Sequence, residues 1–238
     1  MKKFALGLSL AAMAFGASAA ELTFEGIQFT QFAANLNGYS LGNTNSYINA
    51  LSTDYPGYGN LRWAYNGSVN DFRIVEAANY NTRNNVTGAA VGNGYANGLA
   101  SGNWVATNGG GGDVWFEKLN ASAQNFNFTS ASMSAAWYNG LTVDITGYRD
   151  GVAVYSTTTG PLSFNTAIQT FNWTNLDRVT FHSQNTGTVI DNQSTYNHAF
   201  VMDNLNVAAV PEPEGYGLAL AGLGVMGVFA RRRQGKQA

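Results

Sequence analysis

Carboxylates are the side chains of this sequence that could take part in the widest range of catalytic reactions. Hydrolysis of a glycosidic bond needs two of them facing each other across a cleft, and Asp54, Asp71, Asp113 and Glu117 are the candidates. Their spacing along the chain does not show which of them would face one another. Thiolate catalysis is excluded because the chain has no cysteine. We therefore expect a protein without enzymatic activity, with a secreted polysaccharide hydrolase as the alternative.

A short pattern, Gly38-Tyr39-Ser40-Leu41-Gly42, has the glycine and serine spacing of a nucleophile elbow. That motif works only where a strand precedes the serine and a helix follows it. Asparagines flank the pattern on both sides instead, at positions 35, 37, 43 and 45, and they favour a loop. We interpret the match as coincidental.

One aspartate lies inside an apolar strand candidate. Asp203 and Asn204 fall between Met202 and Leu205, and an ionised carboxylate in that position needs partners. Asp203 either caps backbone amides at a β-bulge or binds a structural Ca²⁺ together with Asn204 and oxygens from another strand. No other cofactor is expected.

Tyrosines crowd a region between residues 35 and 60 that is rich in asparagine and glycine and is predicted to form loops. Aromatic faces and amide groups together suit sugar rings, with packing in the core or its rim as the alternative role. The candidates for carbohydrate contact are Tyr39, Tyr47, Tyr55 and Tyr58. Trp63 and Trp137 are predicted to lie in the core.

Charge and composition narrow the class of partner. Residues 21–210 include six basic and twelve acidic residues, which gives a net charge near −6. Because no basic patch is present to neutralise phosphates, a nucleic-acid partner is not expected. Charged residues make up only 11% of the whole chain, whereas Asn, Gly, Ser, Thr and Tyr abound. Such a surface suits neutral polysaccharide, and the same composition is equally typical of exported β-proteins in general.

Short apolar runs separated by glycine-rich turns predict β-structure throughout the body of the chain. Leu141, Val143 and Ile145 alternate with polar residues, the pattern of a half-buried strand, and Asp150-Gly151 supplies a hairpin turn. Further strands are predicted at 22–24, 61–65, 72–75, 104–106, 114–116, 126–128, 169–173, 178–182 and 200–207. Many short strands without a helical period predict an all-β, antiparallel sandwich over residues 21–209.

Both ends of the chain carry membrane-related patterns. A basic start, an apolar stretch over 4–15 and small residues at 17–20 predict a signal peptide, residues 1–20, removed by signal peptidase. At the other end Pro211-Glu212-Pro213 precedes an apolar run over 215–230, and a basic tail over 231–238 begins with Arg231, Arg232 and Arg233. The run is predicted to be a transmembrane helix stopped by the arginines.

The C-terminal pattern, residues 210–238, resembles the PEP-CTERM sorting signal, in which a Pro-Glu-Pro motif, a transmembrane helix and basic residues follow in this order. The resemblance implies cleavage near Pro211–Pro213 by an exosortase, a membrane-embedded transpeptidase. It also implies transient anchoring in the inner membrane of a Gram-negative bacterium that makes exopolysaccharide. The product would then reach the cell surface, the outer envelope or the extracellular matrix.

Four segments of the body resemble an ectodomain that recurs among PEP-CTERM proteins: Trp137–Val143, Gly147–Gly151, Leu176–Phe181 and Phe200–Leu205. This resemblance implies a jelly-roll or galactose-binding-like sandwich, an arrangement shared with many carbohydrate-binding modules. It covers the second half of the chain.

These patterns together predict an exported surface or matrix protein that associates with exopolysaccharide in biofilm or envelope. The alternatives are the secreted hydrolase and an ice-binding protein. Ice binding would use regular ranks of threonine on flat strands, and the sequence offers only the cluster Thr157–Thr159.

Overall fold

The computed structural model describes residues 20–25, 48–50, 57–65, 72–77, 94–184, 186–189, 198–210, 222, 223, 225 and 226. By its internal contacts the chain divides into a unit over Ala19–Val210 and a second unit formed by Met1–Ser18 and Pro211–Ala238. The fold below is that of the first unit. Apart from Ala20, the predicted signal peptide lies outside the described residues, and its boundary at residue 20 stays a prediction.

The described strands are short at the N-terminal end of the body and longer towards its C-terminal end. In chain order they are β1 (Ala20–Leu22), β2 (Ile48–Ala50), β3 (Leu61–Tyr65), β4 (Phe72–Glu76), β5 (Trp104–Asn108), β6 (Val114–Lys118), β7 (Phe126–Ala135), β8 (Tyr138–Asn139), β9 (Val143–Arg149), β10 (Val152–Thr158), β11 (Ala167–Leu176), β12 (Arg178–Ser183), β13 (Thr188–Val189) and β14 (Phe200–Ala209). Single 3₁₀ turns cover Tyr58–Asn60, Gly94–Gly98 and Gly109–Gly111.

The strands form two main antiparallel sheets. The seven-stranded sheet has the order β11-β7-β14-β5-β4-β2, with β1 added beside β14. The five-stranded sheet has the order β10-β9-β12-β6-β3, and β13 and β8 form a small third sheet. The predicted all-β antiparallel sandwich is therefore confirmed.

Apolar and polar residues alternate along the strands, and this two-residue period determines which face of each strand is buried. In β9, Val143 and Ile145 are buried while their neighbours are partly exposed. The predicted hairpin follows it: Asp150 and Gly151 both have positive φ, at 52° and 76°, which is the geometry of the two-residue turn that matches strand twist. The strands β2, β8 and β13 were not predicted from the sequence.

Aromatic rings join the two sheets. Phe72 of the seven-stranded sheet and Phe181 of the five-stranded sheet have ring centroids 6.0 Å apart in an edge-to-face arrangement. Phe116 and Phe128 make a second such contact at 5.7 Å, and Phe181 and Phe200 lie 5.5 Å apart. Edge-to-face pairs add to the free energy gained by burying the rings. The predicted core positions of the two tryptophans, Trp63 and Trp137, are confirmed, since both are buried.

A buried asparagine links the sheets through hydrogen bonds. Asn108, at the end of β5, is fully buried. Its side-chain oxygen accepts from the Phe200 amide at 2.8 Å, and its amide donates to the Gly112 carbonyl and to the Ser183 hydroxyl, both at 2.9 Å. Phe200 lies on the seven-stranded sheet and Ser183 on the five-stranded one, so one side chain ties β5, β14 and β12 together.

We expect Asn108→Ala to destabilise the fold. The change leaves the buried Phe200 amide without its acceptor, and one such loss costs about 1–3 kcal/mol. With the two lost donor bonds, we expect the free energy of unfolding to fall by roughly 3 kcal/mol, or roughly 6–12 °C in Tm for a domain of this size. Thermal unfolding followed by circular dichroism measures the shift. The exposed Asn103→Ala is the control, and equal Tm values for the two variants would contradict the linking role.

Candidate functional site

The outward side of the five-stranded sheet carries polar and aromatic side chains in place of apolar ones. Val114, Phe116, Val179 and Phe181 point into the core and are fully buried. The alternate residues of the same strands therefore face outwards, as the two-residue period of a strand requires. They include Trp115 on β6, Tyr148 on β9, and Arg178, Thr180 and His182 on β12.

Cross-strand register brings these residues together in rows. Trp115 lies opposite Thr180, and Arg178 lies opposite Tyr148. Neighbouring strands are about 4.8 Å apart. Trp115 and Tyr148, two strands and two residues apart, are thus separated by roughly 12 Å, with Arg178 and Thr180 between them.

An open hollow of about 320 Å³ lies on this surface. Its outward-facing lining residues, named the outer face below, are Asp113, Trp115, Tyr148, Arg178, Thr180 and His182. Ligand sites in proteins are typically concave, with aromatic walls and a few polar groups that fix orientation. The outer face has this composition.

Charged groups on and beside the outer face are mostly paired. Asp113 and His182 are joined by a hydrogen bond of 2.5 Å. Beside the hollow Glu117 forms an ion pair with Arg62 and accepts from the Trp115 indole at 3.4 Å, which orients that ring.

The guanidinium group of Arg178 is held differently. Its central carbon lies 4.3 Å from the centroid of the Tyr148 ring, a cation–π contact. Its Nε is enclosed and has no hydrogen-bond acceptor in the described part of the chain. The side chain thus lies on the ring, and no carboxylate of the described residues forms an ion pair with it.

The carboxylates considered for hydrolysis do not form a catalytic pair in the described residues. Asp113 and Glu117 share one face but are four residues apart along an extended strand, or roughly 13 Å. Glycosidases hold their two carboxyl groups about 5–9.5 Å apart. Asp54 and Asp71, the other two candidates, lie outside the described residues.

A third carboxylate, Asp144 of β9, is opposite His182 and is engaged in bonds to its own neighbours. Thr158 donates its hydroxyl to Asp144 at 2.6 Å, and Gln184 donates its amide to the other oxygen. His182 stands between Asp144 and Asp113. These two carboxylates therefore do not face each other across an open gap.

Asp203 acts as a cap for backbone amides. Its side chain is fully buried, and its Oδ2 accepts from the amides of Ala100 at 2.9 Å and Ser101 at 2.8 Å. The Ser101 hydroxyl donates to Asn204 Oδ1 at 2.7 Å. The pairing of β14 with β7 shifts register between Asp203 and Asn206, so the cap sits at a β-bulge.

A second carboxylate, that of Glu25, supports the same loop around residues 100–104. This role was not predicted from the sequence. Glu25 Oε1 accepts from the amides of Asn103 and Trp104, both at 2.7 Å. Gly102 has φ +53°, and a Cβ there would lie 2.2 Å from the Glu25 carboxyl carbon. Two carboxylates thus fix the loop that leads into β5. A structural Ca²⁺ at Asp203 and Asn204 stays a prediction, and among the described residues no group of three or more His, Asp or Glu could hold a metal ion.

Tyr58 takes a packing position. Its ring stacks on Phe24 with centroids 5.7 Å apart and lies 6.4 Å from Trp63. Burial raises the pKa of the Tyr58 hydroxyl above its ordinary value. The ring is therefore engaged by the core, and a carbohydrate role for it remains only a prediction. The other three tyrosines considered for carbohydrate contact, Tyr39, Tyr47 and Tyr55, lie outside the described residues.

Two of the three threonines considered for ice binding form hydrogen bonds with other groups of the fold. Thr158 bonds to Asp144, and Thr159 is buried, with its hydroxyl oxygen accepting from the Val143 amide at 3.0 Å. Thr157 and Thr158 are both exposed, but the Thr158 hydroxyl is engaged by Asp144. The cluster does not form a rank of free hydroxyl groups.

Residues 209–234 match the PEP-CTERM protein-sorting motif. This match contains both the Pro211–Pro213 motif and the Arg231–Arg233 cluster, which lie outside the described residues. The chain is thus an exported, membrane-transiting protein whose body is a β-sandwich. Of the predicted transmembrane helix 215–230, residues 222, 223, 225 and 226 are described and are helical. No helix in the described part of the chain is long and apolar enough to cross a membrane.

Solved structures with a similar course of the chain include a DUF4465 family protein from Bacteroides caccae, at 10% identity and a TM-score of 0.43, covering 81% of this chain and 100% of that one. A family 61 carbohydrate-binding module in complex with β-1,4-galactotriose has 6% identity and a TM-score of 0.35, and the match covers 67% of this chain and 98% of that one. A family 51 module from Clostridium perfringens GH95, in complex with methyl-galactose, has 8% identity and a TM-score of 0.33, and the match covers 68% of this chain and 100% of that one. No curated protein sequence matches this chain.

Asp203 gives a test that separates the cap from the calcium site. Burial raises the pKa of Asp203, against the opposing effect of its amide donors. Its contribution to stability is therefore greatest below the unfolded-state pKa and falls as the pH rises through the folded-state value. Asparagine resembles the protonated carboxyl. We expect Asp203→Ala to cost roughly 1–3 kcal/mol, because it leaves the partly buried amides of Ala100 and Ser101 without their acceptor, and Asp203→Asn to cost less.

Thermal unfolding of the wild-type protein with and without a chelator tests whether Asp203 and Asn204 bind Ca²⁺. We expect the Tm of the wild-type protein to be unchanged by EDTA and by added Ca²⁺, because the lone pairs of Asp203 already accept from N–H groups. A Tm that falls with EDTA and recovers with Ca²⁺ would instead identify Asp203 and Asn204 as calcium ligands.

Proposed function

We propose that this protein is a non-catalytic, exported glycan-binding protein that associates with exopolysaccharide through the outer face. The observation that carries the proposal is the open hollow between Trp115 and Tyr148, with Arg178, Thr180 and His182 along it. Two aromatic residues whose backbone positions are roughly 12 Å apart give an extended chain of sugar units two platforms. The polar groups between the platforms give its hydroxyl groups hydrogen-bond partners.

The open form of the site favours binding of a long polymer over turnover. A hydrolase encloses the scissile bond between two carboxyl groups, whereas on the outer face Asp113 is bonded to His182. Glu117, roughly 13 Å along the strand, is paired with Arg62. An open sheet surface lets a polysaccharide chain continue past the site in both directions, which suits a matrix component.

The C-terminal signal supports a location where such a polymer is found. The sorting motif at 209–234 follows directly on β14, the last strand of the body. We propose that an exosortase cuts the chain near Pro211–Pro213 after export, so that the sandwich is released from the inner membrane. The cell surface or extracellular matrix is then its destination.

The aromatic platforms can be tested one at a time. We expect Trp115→Ala and Tyr148→Ala each to weaken binding to the exopolysaccharide of the native host by at least about tenfold, or about 1.4 kcal/mol. The reason is that each change removes one ring on which a sugar unit would pack. Affinity electrophoresis or isothermal titration calorimetry measures the effect, with protein purified from that host.

Tyr155→Ala is the matched control. Its ring stacks on Trp173 at 5.4 Å and lies on β10, away from the outer face, so we expect unchanged affinity. The proposal fails if the two platform variants bind as the wild type does while retaining their folded circular dichroism spectrum, or if no binding is detected for the wild type.

Processing has a direct measurement of its own. We expect the intact mass of the protein from its native host to correspond to loss of residues 1–19 or 1–20 and of the segment beyond the Pro211–Pro213 motif. Substitution of Pro211 and Pro213 by alanine should leave the full C-terminal segment in place. A native protein that retains Arg231–Arg233 would contradict cleavage at this signal.

A further inference from the structure

Among the described residues of this acidic protein, Arg178 has no carboxylate partner. Residues 21–210 have twelve acidic and six basic residues, so carboxylates that could pair with an arginine outnumber the basic side chains. Arg62 pairs with Glu117, Arg149 donates to the carbonyls of Thr174 and Asn175, and Lys118 contacts Asn125. Arg178, in contrast, contacts the ring of Tyr148 and forms no hydrogen bond within the described residues.

The two carboxylates on and beside the outer face, Glu117 and Asp113, already have bonding partners. Glu117 is opposite Arg178 across the β6–β12 pair, but it bonds to Arg62 on its other side and to the Trp115 indole. Asp113 is bonded to His182. Within the described residues the Arg178 guanidinium therefore has no ion pair of its own, and it lies in the hollow between the two aromatic platforms.

The guanidinium is also held in place before any ligand arrives. Its carbon lies 4.3 Å from the Tyr148 centroid, and its enclosed Nε leaves the outer nitrogens as the donors available to a ligand. The planar fork of arginine matches the planar carboxylate, with two parallel hydrogen bonds. A stacked arginine loses little conformational freedom when it forms that pair.

We propose that the outer face selects an acidic polysaccharide, and that Arg178 binds the carboxylate of a sugar unit. This inference depends on the proposed glycan binding and adds its ligand class. It departs from the neutral polysaccharide that the overall composition favours, because composition averages over the whole surface and the hollow has its own charge. The carboxylate belongs to a uronic acid or to a pyruvyl group on a sugar.

The experiment compares one polymer with and without its charge. The exopolysaccharide of the native host is used as isolated and after carbodiimide activation and borohydride reduction, which converts uronic acids into neutral sugars on the same backbone. A third sample is treated with mild acid to remove pyruvyl groups. Wild type, Arg178→Gln, Arg178→Lys, Trp115→Ala and the charge control Arg149→Gln are each titrated with all three samples, after a check of Tm.

We expect the wild type to bind the untreated polymer at least about tenfold more tightly than the form that has lost the relevant carboxylate, with the preference falling as salt is added. Arg178→Gln should bind all three samples equally weakly. Arg178→Lys should keep part of the preference, since it keeps the charge without the fork. Arg149→Gln should behave as the wild type does, and Trp115→Ala should weaken binding to every sample.

The outcomes separate the two proposals. Equal binding of all samples by the wild type, with weakening by Trp115→Ala, overturns the acidic ligand and leaves glycan binding intact. A preference for the acidic form that persists in Arg178→Gln overturns the role of Arg178. Absence of binding to every sample, or no effect of Trp115→Ala on any of them, overturns glycan binding itself.

Discussion

The packing of aromatic rings between the two sheets is the interaction on which the rest of the structure depends. The chain has no cysteine and few charged residues, so neither disulfides nor extensive ion pairing hold the sheets together. Phe72, Phe116, Phe181 and Phe200 interlock across the interior at centroid distances of 5.5–6.2 Å. Burial of rings of this size supplies a large share of the hydrophobic stabilisation of a domain.

That packing also determines what the surface can present. Because side chains alternate along a strand, placing Phe116 and Phe181 inside forces Trp115, Thr180 and His182 outside. The proposed binding surface is thus the reverse side of the core, and its rigidity comes from the core. A site on strands is held more precisely than a site on loops. The two loops nearest to β5 are fixed by other means, through Asn108 and the carboxylates of Asp203 and Glu25.

Much of the fold could be predicted from local pattern. The β3 to β7 and β9 to β12 segments and β14 have apolar residues at alternating or consecutive positions, and Asp150-Gly151 marks its hairpin unambiguously. The strands β2, β8 and β13 have two or three residues each, so they carry too little periodicity to be seen. The extension of β7 to Ala135 was missed because its second half, buried and rich in serine and alanine, has no alternation.

The candidate site was harder to predict, since it depends on register. The sequence draws attention to the tyrosines between residues 39 and 58 by their density, and Tyr58 proves to pack on Phe24 and Trp63. Trp115, Tyr148 and Arg178 are 30 to 63 residues apart along the chain and meet only because β6, β12 and β9 are adjacent. The available signal was the polarity of alternate positions in each strand, which identifies a surface side but not its neighbours.

The position of β14 has a mechanical consequence. This last strand lies inside its sheet, paired with β7 along its length on one side and with β5 and β1 on the other. In the proposed state in which the C-terminal segment anchors the protein, tension enters the body at Ala209 and runs along the strand axis. The hydrogen bonds of an antiparallel ladder are perpendicular to that axis, so they share the load as a set instead of opening one after another. A sandwich suspended in this way can be pulled by a moving polymer without unravelling from its anchored end.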